Sequence, residues 1–443
     1  MILSTSSTSQ PRLRNLSRIA WLATAACALT WTVPIFSRHD GYFGHYTPAQ
    51  LAFGSLLFAL AAGLWSVVAS HPAKKRVATF RAAAIGIGLA IGLVGAELAY
   101  ALLRPDPINP FYQVDPRWNL PDEELGFVRK PNLTWEGRSF NDPDAHHVVY
   151  RTDENGFRNA PGIETADLVF IGDSFTEAGN VPENDTFVQQ VGRDLRRPVV
   201  NLGRSYYGPQ QELLVLQRYA LRYNPSCVVW VLFEGNDLID AERYRLGHME
   251  RPAQATPTTP TPFFESLLTH RLLSRWWTPA ATTPDDGLPR WWLTRPDGSE
   301  DAVEFLIQYQ PDAIAALPRA WTETKRCLAE GFSLCSARGI RLVVVVVPIK
   351  FRVYGPFVRV ETEHGEMQGP LPQDLTRPGG FTEQVRDFCD SLGCDFVDPY
   401  PALLKAARRG QSPYSLRYDT HLDIPGHRIV AERITHTLRI PDP

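Results

Sequence analysis

The sequence predicts an α/β domain, a parallel sheet covered by helices on both faces, preceded by membrane-spanning helices. Three observations carry this. Beyond residue 167, short apolar runs alternate with helical stretches, as strands joined by crossover helices do. Two of those runs, 227–233 and 342–347, are apolar at nearly every position, the mark of strands buried on both faces. The first hundred residues also hold three apolar segments, each about long enough to cross roughly 30 Å of hydrocarbon as a helix.

The chain has 443 residues, too many for one typical domain. Its net charge is −3 and no long basic run occurs, so nucleic-acid binding gets no support. Of the six cysteines, Cys27 lies in an apolar segment and Cys227 opens a core strand. Cys327/Cys335 and Cys389/Cys394 are close enough in sequence to bridge in an oxidising compartment. No C-x-x-C spacing occurs, which argues against zinc.

Residues 1–103 read as a membrane anchor with spans at about 19–37, 50–70 and 82–103. A cleaved signal peptide is the alternative for the first, but no small-x-small site precedes Arg38-His39-Asp40. Arg12, Arg14 and Arg18 precede the first span, and Lys74, Lys75, Arg76 and Arg81 separate the second from the third. The positive-inside rule then puts these in the cytoplasm and everything after the third span outside, in the periplasm or extracellular space. Gly88-x-x-x-Gly92 and Gly92-x-x-x-Ala96 permit close helix packing, among the three spans rather than in a dimer.

Residues 104–166 form a lead-in rich in Pro, Asp and Asn, with strands expected at 125–128 and 147–150 and a turn at Asn155-Gly156. Residues 167–443 read as a second, α/β domain. Strands are expected at 168–171, 199–202, 227–233, 342–347 and 395–397. Helices are expected around 185–195, 210–223, 313–338, 381–392 and 425–438. An irregular insertion interrupts the alternation at about 240–310, with a Thr/Pro-rich loop at 252–262. Trp276-Trp277 and Trp291-Trp292 fall in it and read as a local apolar cluster, with sugar stacking or the membrane interface as alternatives.

The strand at 168–171 runs into Gly172-Asp173-Ser174 and then a helical segment. A strand that turns directly into a helix exposes the residue at its corner, where open α/β sheets bind ligands. The free N–H groups and dipole of a helix start favour developing negative charge there. Ser174 is thus a candidate nucleophile, in need of a base, an orienting group and oxyanion donors. Asp419 and His421 lie two apart in an extended stretch and share a side. Asp419 can hold one ring nitrogen of His421 while the other faces Ser174. Asp423 reads as an N-cap, and His427 as a packing residue. Asn236, in Gly235-Asn236-Asp237 after a strand, can donate through its amide. A backbone N–H near Tyr206, between Gly203 and Gly208, can supply another donor, and Ser174 N–H a third. Asp173 reads as a turn-bonding residue, and Lys350 as a solvated lysine, with a reach to the edge of the active site as the alternative.

In chain order, Gly172-Asp173-Ser174 with Thr176, Asn201-x-Gly203, Gly235-Asn236-Asp237 and Asp419-x-His421 with Gly426-His427 resemble the SGNH (GDSL-type) hydrolases. The resemblance covers about residues 168–440. It implies a three-layer, flavodoxin-like fold, Ser174 as nucleophile, Asn236 in the oxyanion hole and Asp419 with His421 completing a triad, without a cofactor. The Asp–His spacing is one shorter than usual in the family and looks like the SGNH domains of membrane-associated polysaccharide acetylation proteins. The family's second-block glycine has no clear counterpart, which leaves Tyr206 and Gly208 as candidates. The expected activity is a membrane-anchored extracytoplasmic esterase or O-acetyltransferase on O-acylated glycans. A lipid or small-ester hydrolase and a catalytically silent scaffold of envelope-polysaccharide assembly are the alternatives. As a transferase, the chain would need a membrane partner to deliver acyl groups.

Overall fold

The computed structural model describes residues 76–77, 79–80, 114–139, 145–250, 290–305, 313–361, 367–368, 380–417 and 419–440. The three expected spans, Cys27, the Thr/Pro-rich loop and Trp276-Trp277 lie outside the described residues. Among the described residues no helix is long and apolar enough to cross a membrane. The chain divides into two compact units. In the unit of Met1–Pro105 and Pro257–Asp286, residues 76–77 and 79–80 are helical. The unit of Asp106–Thr256 and Gly287–Pro443 carries everything below.

The lead-in forms two antiparallel hairpins, β1 (Asn119–Asp122) with β2 (Gly126–Arg129) and β3 (Thr134–Arg138) with β4 (His147–Arg151). The sequence reading expects β2 and β4. It misses their partners, because β1 carries a proline and β3 a single large apolar residue, Trp135.

The chain then runs β5 (Leu168–Gly172), α1 (Ser174–Glu177), α2 (Phe187–Leu195), β6 (Val199–Gly203), α3 (Pro209–Arg218), β7 (Cys227–Phe233) and α4 (Asp237–Arg245). After the insertion come β8 (Arg290–Thr294), β9 (Glu300–Val303), α5 (Ala313–Ala316), α6 (Pro318–Ser336), β10 (Arg341–Val347) and α7 (Lys350–Tyr354). The rest is β11 (Val358–Glu361), β12 (Met367–Gln368), α8 (Gly380–Leu392), β13 (Asp395–Val397), α9 (Tyr400–Arg408) and α10 (Ile424–Arg439). The helix expected at 313–338 is two, because Pro318 begins the longer one at a position that needs no N–H.

Five strands pair in parallel in the order β6-β5-β7-β10-β13. Numbered along the chain this is 2-1-3-4-5, the doubly wound order of flavodoxin-like sheets. Its side chains alternate between two cores. Val169, Ile171, Val228, Trp230, Val344 and Val346 pack with α3, α6 and α8. Leu168, Phe170, Val229, Val231, Val343 and Val345 pack with α2, α9 and α10. Burial on both faces explains the unbroken apolar runs, and each fully buried valine contributes about 1.5 kcal/mol or more. The strand order reverses between β5 and β7, so their carboxyl ends border the crevice where such sheets bind ligands.

The insertion is more regular than its sequence suggests. β8 and β9 join β11 and β12 in a second, antiparallel sheet of order β12-β11-β8-β9. Trp291 packs edge-on against Phe305 and Phe351, the local apolar cluster that its sequence suggested. The five described cysteines are all free. Cys327 and Cys335 are buried on the core face of α6, and Cys389 hydrogen-bonds Cys394.

Candidate active site

β5 ends at Gly172. A Cβ there would stand 2.6 Å from the Val231 carbonyl on β7 and 2.4 Å from Thr176 Oγ1, so only glycine lets the chain leave the sheet this abruptly. Asp173 caps the turn by accepting the Phe175 N–H at 2.9 Å, and Ser174 follows, half-buried. The helix it begins is one turn long, closed by Ala178 in the left-handed conformation. The dipole support expected from a full helix is therefore small, since the longer helix is the separate α2.

The loop before α10 brings the base. His421 Nε2 lies 2.8 Å from Ser174 Oγ, and His421 Nδ1 lies 2.6 Å from Asp419 Oδ1. The carboxylate sets the tautomer: Nδ1–H donates to Asp419, and Nε2 accepts the Ser174 hydroxyl. The ring rests 4.7 Å from Phe175, which stacks on Phe233 at 3.9 Å. Burial disfavours the charged imidazole, but Asp419 outweighs it and raises the ring above its usual value. Beside the serine, burial pushes the Asp173 carboxyl up to about 6.

The expected oxyanion donors have distinct surroundings. Tyr206 is half-buried with φ of +70°, a left-handed backbone that a non-glycine residue adopts at a cost of about 1–2 kcal/mol. Gly208 does not serve as expected. Its N–H already donates to Gln211 Oε1 at 3.0 Å. Its missing Cβ makes room for Ala241 N on α4, which would lie only 2.9 Å away. Gly208 is thus a cap and a close-packing position. Asn236 occupies the N-cap position of α4 at the end of β7, and its amide donates to Asp240 Oδ2 at 2.5 Å, leaving the second amide hydrogen to offer. Asn201 does not face the cleft. Its Nδ2 donates to the Thr176 carbonyl at 2.7 Å and its Oδ1 accepts the Gly203 N–H at 2.9 Å, tying β6 to α1.

Other assignments fall out directly. Asp423 accepts the Ile424 N–H as the N-cap of α10, and also meets His146 Nε2 at 2.5 Å. His427 is buried and accepts the Phe187 N–H at 3.2 Å.

Two features escape the sequence reading. The first is Glu177, completely buried on the nucleophile's own turn. Its Oε1 accepts from Arg129 Nε at 2.8 Å, from Arg204 Nη1 at 2.7 Å and from the Tyr150 hydroxyl. Its Oε2 accepts from Ser205 N at 2.7 Å and Ser205 Oγ at 2.5 Å. Burial alone would raise this carboxyl, yet the two guanidiniums hold it far below its usual range. Arg158 adds donations to the carbonyls of Ala178 and Val181. The lead-in therefore anchors the nucleophile turn from beneath. Glu177 lies inside the motif, but its partners lie on separate segments, and no local pattern announces them.

The second is Lys350. The sequence suggests a solvated lysine; the structure buries it to 1 % exposure at the start of α7. Elsewhere, burial pushes the Glu212 and Asp237 carboxyls well above their usual values, helped by Asp173 beside both and by Glu212 beside Asp237.

No protein-family model matches the chain, and no curated protein does. Among solved structures, a GDSL-like lipase from Bacteroides thetaiotaomicron matches at 13% identity, covering 61% of this chain and 86% of its own, with a TM-score of 0.30. TesA matches at 13% identity, covering 61% and 97%, with a TM-score of 0.32. A catalytic mutant of an acetylxylan esterase from Geobacillus stearothermophilus matches at 15% identity, covering 62% and 94%, with a TM-score of 0.33. Of these three, the first carries the GDSL name in its own description.

Proposed function

We propose that this chain is a serine esterase or O-acyltransferase of the SGNH type, working through an acyl-serine. The observation that carries this reading is the continuous hydrogen-bonded line from Asp419 Oδ1 through His421 to Ser174 Oγ. His421 Nε2 takes the hydroxyl proton as Oγ attacks the ester carbonyl. Asp419 holds the tautomer and stabilises the imidazolium. The Ser174 N–H, the Asn236 amide and the backbone at Tyr206 stabilise the tetrahedral oxyanion. As the ester C–O bond breaks, the leaving alcohol takes the proton from His421. Water or a sugar hydroxyl then attacks the acyl-serine and gives its proton to His421; as the acyl–Oγ bond breaks, His421 returns that proton to Ser174 Oγ and the acyl group leaves on the acceptor.

The substrate class proposed is an O-acetylated or otherwise O-acylated glycan, and the setting the outer face of a membrane, tethered by the N-terminal segments. The charge pattern around 12–18 and 74–81 supports that orientation. A membrane partner would deliver acyl groups if the chain is a transferase.

The test is labelling of the detergent-solubilised full chain by a fluorophosphonate, with p-nitrophenyl acetate turnover, against Ser174→Ala. Labelling and turnover that vanish in the variant are expected. A wild type that neither labels nor turns over removes the enzyme reading, and turnover that climbs with added sugar acceptor identifies a transferase. A periplasm-active reporter fused after Pro443 tests the orientation; activity only in the cytoplasm refutes it.

A further inference from the structure

Lys350 follows β10 at the sheet's carboxyl edge. Its Nζ donates to the Leu416 carbonyl at 3.0 Å and to the Asp419 carbonyl at 3.2 Å. Those two carbonyls bracket the turn that delivers Asp419 to His421. The Leu416 carbonyl also accepts the Glu304 N–H at 2.8 Å, so the second sheet grips the same turn. Phe305, from the end of that sheet, lies over the amine at 5.8 Å. Its ring packs edge-on against Phe351 at 4.9 Å, closing the amine off from water. A lysine buried for packing alone would extend its amine to solvent, because an unsatisfied buried ammonium is costly. This one instead spends its amine on the carbonyls of the base loop.

We propose that Lys350 is the positioning residue of the Asp419–His421 loop, pinning its backbone and setting a positive charge opposite the Asp419 carboxylate. The inference rests on the esterase reading above. Groups facing the amine are Asp419, from the loop, and Glu304, from the second sheet; burial lowers the amine to about 7, and these two carboxylates offset part of that. The groups facing the His421 ring are Asp419, Asp173 and Glu177. Lys350 thus acts on the base through Asp419. Its protonated form weakens the hold of that carboxylate on the imidazolium, and its neutral form restores it. Neither form touches the reacting atoms.

The experiment compares full-chain wild type, Lys350→Met and Phe305→Ala in kcat, KM and their pH dependence on p-nitrophenyl acetate, with thermal melting alongside. Lys350→Met is expected to lower kcat about tenfold to a hundredfold through misplacement of the loop, with KM within about twofold. It also moves the acidic limb of the profile to higher pH, because loss of the positive charge makes His421 more basic. Phe305→Ala admits water to the amine, keeps it charged to higher pH and moves the limb the opposite way. If Lys350→Met fails to fold, Phe305→Ala alone decides. Limbs that do not move, or a Lys350→Met effect confined to KM, overturn the positioning role while leaving the esterase reading intact. An inactive wild type that Ser174→Ala merely equals overturns the esterase reading itself.

Discussion

The two halves of the candidate site are held in opposite ways. The nucleophile turn sits on charge: Glu177, with Arg129, Arg204 and Tyr150 crowded around one buried carboxylate. The base loop sits on backbone carbonyls, which take hydrogen bonds from Lys350, from Glu304 N and, at Leu422, from Asn180 Nδ2 at 2.8 Å. A buried ion network is rigid but fails badly when one member is lost, because its partners stay charged and dry. A loop tied through its carbonyls loses less stability when one donor goes, because no partner charge is stranded, although its placement shifts. The proposed nucleophile is thus held by a buried charge network, whereas the proposed base is held through the backbone of its loop.

Breaking the comparison at its strongest point means Glu177→Leu. It leaves Arg129 and Arg204 buried without their carboxylate and should cost about 3–5 kcal/mol in chemical denaturation. A loss no larger than that of Lys350→Met would make the two halves energetically alike.

The lysine should instead show in the pH dependence of stability. The folded amine is lowered to about 7 while the unfolded one stays near ~10.4, so the unfolded chain binds more protons between those values. Stability therefore rises with pH from about 7 toward ~10, by an amount on the order of a few kcal/mol before relaxation is allowed for. Lys350→Met should flatten that rise when unfolding is followed at pH 7 and pH 9. A rise that persists in the variant assigns it to another group.

Tyr150→Phe removes one donor of several around Glu177 and should cost about 1 kcal/mol in the same measurement, leaving activity near wild type. Smaller still is Tyr206→Gly, which relieves the left-handed backbone but adds freedom to the unfolded chain, for a net change under about 1 kcal/mol. Activity should survive, since the backbone N–H remains; its loss would move the oxyanion role to the Tyr206 ring. For the base itself, the acidic limb of kcat/KM should fall above 6.5, because Asp419 raises His421 and only the neutral ring accepts the serine proton. A limb below that value contradicts the observed pairing.

What the sequence makes legible follows the length scale of each interaction. β7 and β10 announce themselves because both faces of each are buried, so nearly every residue is apolar. The corner at Gly172–Ser174 and the pair Asp419/His421 are readable because each is a contiguous stretch. The antiparallel sheet is hidden, since its strands are short and it joins segments from both sides of α6. Glu177 and Lys350 look like surface residues in isolation, and only partners far along the chain turn them into supports. Gly208 shows the opposite failure: a glycine in the right place suggested a donor, but close packing against α4 is what requires it.

The double grip on the Leu416 carbonyl also bears on timing. During synthesis the serine emerges well before the segments that carry Glu304, Lys350 and finally His421. A partly made chain displays a nucleophile corner with no base beside it. On the mechanism proposed above, chemical competence arrives in one late event, when the second sheet and the lysine together find the same carbonyl, and the growing chain would stay inert toward esters until then.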